Sequence, residues 1–156
     1  MDNSDDIVTR FDNIMENFGK NFDAQLAILV AAKLEESLKE ALLTKMRPIN
    51  HEIKKRLFEG YGPLSGFAAK IDLAYALKIF PKKVYDTLRT LKKVRDIFAH
   101  RSELSNFETP EIATLLNTLQ LDKSFTSMKA RYGMKLVELN GELAKVITPP
   151  ASGEIS

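Results

Sequence analysis

The stretch Pro81–Arg101, PKKVYDTLRTLKKVRDIFAHR, decides the fold. Pro81 suits the first turn of a helix, where its missing N–H would be unpaired anyway. Val84, Leu88, Leu91 and Phe98 recur at i, i+4, i+7 and i+14, which is one face of an α-helix. The i+11 position of that face is Arg95. A guanidinium on a core-facing stripe stays charged and needs acceptors. Asp96 follows it, and His100, an i+4 neighbour of Asp96, falls where the helix should end.

The same periodicity extends in both directions. Residues from about 4 to 18 read as a helix with Ser4 as N-cap and Asp5 and Asp6 in the first turn. Ile7, Phe11, Ile14, Met15 and Phe18 share one face of it, and Gly19 interrupts the pattern. A second helix is expected over about 22–46. Its lane Ala24, Ile28, Ala31, Leu38 and Leu42 carries Glu35 at i+11 and stops before Pro48. Asn50 can cap a short helix His51–Phe58, and Ser65 can cap another over Gly66–Leu77. Thr109 and Pro110 open a further helix, and a last one runs from about Lys123 to Ile147. No strand pattern, repeat or low-complexity segment is present. The expected fold is all-α: one bundle of six or seven helices over 1–148, followed by a flexible tail over 149–156.

Composition narrows the function classes. The chain has 156 residues, 44% hydrophobic and 28% charged, with a net charge of +2. That charge is too small to imply nucleic acid by itself. With no cysteine, disulfides and thiolate metal sites are excluded. No signal-peptide layout is seen, and the longest apolar run, Leu26–Ala32, is too short to cross a membrane. A cytoplasmic protein without cofactor or metal is expected. Of the two histidines, His51 reads as a surface residue. The glycine-rich GYGPLSG (Gly60–Gly66) opens a helix but lacks a Walker lysine, and reads as a connector.

Two features invite a nucleic-acid reading. Asp72–Leu91 has a helix-turn-helix outline, but its turn lacks the usual glycine and its second helix is long. Lys78–Arg101 holds eight Lys/Arg against two Asp, whereas Met1–Gln25 holds six Asp/Glu against two Lys/Arg. Lys82, Lys83, Arg89, Lys92 and Lys93 therefore form a candidate basic interaction face, for phosphates or for the acidic N-terminal helix of the same or a second chain. Arg95, Asp96 and His100 have two readings. In one they cleave RNA without metal, His100 moving a proton and Arg95 stabilising the phosphate. In the other they clamp the helix. The expected arrangement is a largely buried ion pair of Arg95 with Glu35, since each is the i+11 charge of an apolar lane. Glu36 is the fallback. Asp72 is excluded, because in an antiparallel hairpin it lies opposite residue 87.

Three ordered blocks resemble a known family. FGKNFDAQLAILVAAKLEESLKEALL (Phe18–Leu43), LFEGYGPLSGFAAKIDLAYAL (Leu57–Leu77) and LRTLKKVRDIFAH (Leu88–His100) are similar to the mannitol operon repressor family. The resemblance implies an all-helical bacterial transcriptional regulator without a recognised DNA-binding domain, prone to dimerise and acting through other proteins. Arg95 and His100 also resemble the Arg-x(4–6)-His signature of the HEPN superfamily, some members of which are ribonucleases. The expectation is thus a homodimeric, non-enzymatic regulator. The alternative is a HEPN-like ribonuclease using Arg95, Asp96 and His100, or a direct DNA binder.

Overall fold

The computed structural model describes residues 3–100, 105–121 and 123–148, apart from the side chains of 3–6, 17–18 and 20–21. The expected tail over 149–156 lies outside what is described; Ser4, expected as a cap, stands inside α1, which begins at Asn3. Among the described residues, six α-helices form one bundle: α1 (Asn3–Lys45), α2 (His51–Phe58), α3 (Phe67–Ala76), α4 (Lys82–His100), α5 (Pro110–Asn117) and α6 (Met128–Ile147). No strand occurs among the described residues.

The two expected N-terminal helices are one. α1 continues through Gly19, where an added Cβ would meet nothing within 4 Å. A helical glycine costs about 1 kcal/mol relative to alanine, which a helix of 43 residues absorbs. The C-terminal part of α1 is the axis of the bundle. Ala27, Ala31, Leu34, Leu38 and Leu42 are buried on one of its faces. α6 runs alongside in the same direction: Lys129 pairs with Asp23 at 2.5 Å, the Tyr132 hydroxyl donates to the Ala27 carbonyl at 3.4 Å, and Ser37 donates to Asn140 at 2.9 Å.

α3 and α4 form the expected antiparallel hairpin. Asp72 accepts from the Tyr85 hydroxyl at 3.1 Å and lies 3.6 Å from Arg89, either side of residue 87. The turn has the hydrogen-bond pattern of a Schellman motif: Ile79 N–H donates to Ala74 and Lys78 N–H to Tyr75. Its left-handed position is held by Lys78, φ 57°, instead of glycine.

Local capping signals are met unevenly. Asn50 accepts from Ile53 N–H at 2.9 Å. Ser65 does not cap α3; Gly66 holds that position without a side-chain bond, and the Ser65 carbonyl is used otherwise. Ser127, not a residue near Lys123, caps α6, and that helix passes through Gly133 and Gly141 unbroken. In the GYGPLSG connector, a Cβ on Gly62 would come within 2.4 Å of the Arg56 carbonyl oxygen, so the close return of the chain needs glycine. The polar connector before α5 holds an unexpected core residue, Phe107. It is buried between Phe98 (ring centroids 5.2 Å) and Tyr132 (4.9 Å), with its N–H 3.3 Å from an Asp23 carboxylate oxygen.

Candidate functional site

The half-buried charge in the apolar lane of α1 has a different partner from the expected one. Glu35 pairs with Lys70 of α3 at 2.6 Å, not with Arg95. Lys70 occupies the apolar lane Phe67, Ile71, Ala74 of α3, and its side chain is only 5% exposed. A second hydrogen bond, to the Ser65 carbonyl at 2.9 Å, helps hold its ammonium. Arg95 projects elsewhere. Its guanidinium lies 5.8 Å from the Phe67 ring centroid and 3.5 Å from Asp96, with the side chain 27% exposed. It is therefore half-buried and stacked rather than sealed in an ion pair. Its charge also reaches Tyr132, whose pKa burial pushes far above the usual 10.0, with Arg95 acting weakly in the other direction.

His100 is exposed at the last position of α4. Residues five apart on a helix are separated by about 140° around its axis. Arg95 is turned toward Phe67 of α3, whereas His100 is exposed at the helix end, and no contact links the two. Asp96 is held by Lys92 and Arg95.

The basic face of α4 is largely neutralised in place. Lys82 pairs with Asp86 at 2.8 Å, Arg89 lies 3.6 Å from Asp72, and Lys92 pairs with Asp96. The Asp86 contact raises the Lys82 pKa, and the hydrogen bond to the Asp72 carboxylate raises that of Tyr85. Lys83 and Lys93 are exposed and have no carboxylate partner among the described residues.

What the structure does form is an open groove of about 560 Å³ between α4 and α5. Ile97, Pro110 and Leu115 give it an apolar floor, and Lys93, Asp96 and Glu111 a charged rim, with Thr114 beside them. Neither Arg95 nor His100 lines it. Periodicity places Ile97 on the flank of α4 and Pro110 at the start of α5, but their meeting depends on how those helices pack. Among the described residues no three His, Asp or Glu gather as metal ligands, and no helix is long and apolar enough to cross a membrane. His51 is exposed at the start of α2.

Fold and surface together define an all-α bundle with a shallow apolar groove and a basic helix already paired with acids. That arrangement of helices recurs in a chain of the X-ray structure of the MtlR-HPr complex from Escherichia coli. The two superpose with a TM-score of 0.61 at 18% identity, over 80% of this chain and 90% of that one. At that identity the likeness is one of fold. No family model matches the sequence, and no curated protein matches it.

Proposed function

We propose that this chain is a non-enzymatic transcriptional regulator of the mannitol operon repressor kind, acting as a homodimer through binding of another protein. The observation that carries the reading is the α4–α5 groove, an apolar floor with a mixed-charge rim. Such a surface suits a protein side chain or helix better than a phosphate backbone. The shared fold with a chain crystallised as part of an MtlR-HPr complex supports a protein partner. The pairing of Lys82, Arg89 and Lys92 with carboxylates also argues against a phosphate-tracking face.

HPr is the first partner to test. Isothermal titration of purified HPr into the chain is expected to show saturable binding. Ile97→Asp and Leu115→Asp, which charge the groove floor, should weaken it at least about tenfold with the helical circular-dichroism signal unchanged. No heat of binding to HPr, or binding indifferent to both substitutions, would remove the groove from the proposal.

A further inference from the structure

α1 carries two apolar faces. One, from Ala27 to Leu42, is buried in the bundle. The other comprises Ile7, Phe11, Ile14, Phe22 and Leu29, which are 51–70% exposed. At about 100° per residue this second lane points roughly opposite to the first, so no rotation of the helix could bury both in its own bundle. Every described side chain from Ile7 to Glu16 is exposed, so these turns form an arm standing clear of the other helices.

The exposed surface has the size of an interface. Ile7, Val8, Phe11, Ile14, Met15, Phe22, Ile28 and Leu29 are each exposed by two-fifths or more. Together they offer on the order of 800 Å², the share one partner contributes to a standard interface and more than the usual largest patch of a monomer. The surface continues onto α6. Lys129 pairs with Asp23 and lies 4.9 Å from the Phe22 ring centroid, which sets α6 beside the lane, and Met134 and Val137 are exposed on that helix.

The spacing of the lane identifies its occupant. In sequence it falls at positions 7, 11, 14, 18, 22, 25 and 29, in steps of 4, 3, 4, 4, 3 and 4. Two 11-residue repeats of this kind keep an apolar lane almost straight along a helix. The order of steps also reads the same from either end. An antiparallel copy therefore meets it position for position: Ile7 against Leu29, Phe11 against Gln25, Ile14 against Phe22. Such pairing is two-fold symmetric and closed. It lays the tip of each arm over the other chain's Leu29 shoulder. It also separates the two acidic tips, which a parallel pairing would bring together: Asp2, Asp5 and Asp6 stand among the first six residues without a Lys or Arg. We infer that the N-terminal arm of α1 is the interface of a homodimer in which the arms of two copies pair antiparallel, centred near residue 18. This rests on the dimeric part of the reading above and gives that dimer its surface; the identity of the partner protein does not enter.

The absence of cysteine allows a direct test. The full chain at tens of micromolar should scatter light as twice its 17.6 kDa mass. Phe11→Asp/Ile14→Asp should weaken self-association at least about a hundredfold while leaving the bundle folded by circular dichroism. On mild oxidation Ile7→Cys/Leu29→Cys should run as a covalent dimer, and neither single variant should. Those two positions are about 33 Å apart along one helix, so the bond must join two chains. A monomeric wild type overturns both the dimeric reading and this inference. A dimer that survives Phe11→Asp/Ile14→Asp and does not cross-link through the paired cysteines overturns the inference alone. Cross-linking by Ile7→Cys alone would show parallel arms, and overturns it too. A monomer whose HPr binding is lost in Phe11→Asp/Ile14→Asp would assign the arm to the partner instead.

Discussion

Glu35 and Lys70 form an ion pair whose two halves are unequally sheltered. The lysine side chain is 5% exposed and the carboxylate 27%. Removing one partner is costly mainly for the charge left behind, and more so when that charge is the deeper one. Glu35→Ala strands the buried ammonium with the Ser65 carbonyl as its remaining acceptor, and should destabilise the fold by about 3 kcal/mol. Lys70→Met puts an apolar chain of similar length into an apolar lane and leaves a carboxylate that water can reach, so about 1 kcal/mol or less is expected. Urea unfolding of both variants at pH 7 checks the asymmetry; equal losses would contradict it. The presence of Glu35 in an apolar lane marks it in the sequence as needing a cation. Lane spacing within one helix does not say which helix lies across from it. Arg95 and Lys70 both stand on apolar lanes, and the choice between them is made by the α1–α3 packing.

Local signals specify the ends of elements better than their continuity. Asn50 and Pro110 start helices where their chemistry requires, and the α3–α4 hairpin brings Asp72 opposite residue 87 as its turn dictates. Gly19 illustrates the converse, since a single helical glycine, costing about 1 kcal/mol, does not end α1 even beside Asn17, Phe18 and Asn21, which are no strong helix formers. Phe107 is hidden because one aromatic residue in a polar connector has no periodicity to reveal it. At the α3–α4 turn, Lys78 occupies a left-handed conformation that costs an L-residue with a Cβ about 1 kcal/mol or more. The Schellman hydrogen bonds and the buried Ala74 and Ile79 on either side hold it there. Lys78→Gly should therefore stabilise the protein, by about 0.5–1 kcal/mol once the extra freedom of glycine in the unfolded chain is subtracted. The check is a rise in thermal midpoint, by a few degrees for a domain of this size. A fall would mean that the Lys78 side chain contributes more than its backbone strain costs.

For the whole molecule, the distribution of charge bears on what it can bind. α4 looks like a nucleic-acid helix in the sequence because its lysines and arginines are counted singly. In three dimensions Lys82, Arg89 and Lys92 each meet a carboxylate, leaving Lys83 and Lys93 as the cations of that face without one among the described residues. A protein neutralising Z phosphates loses affinity with salt at a slope of roughly −0.9 Z on logarithmic axes. Two available cations thus predict a slope no steeper than about −2 for any binding through this face, and no operator complex at nanomolar concentration in physiological salt. Gel shifts with operator and unrelated DNA across a salt series measure both quantities. The same geometry bears on the HEPN-like alternative. A ribonuclease would need Arg95 and His100 on one phosphate; Arg95 is half-buried over Phe67 and paired with Asp96, which leaves its guanidinium less free for a phosphate. On the proposed reading, unstructured RNA incubated with the wild type and with His100→Ala is cleaved by neither. Cleavage lost in His100→Ala with the fold intact, or a nanomolar sequence-specific shift with a steep salt slope, would return the function to nucleic acid and require a second copy to bring the missing cations to the site.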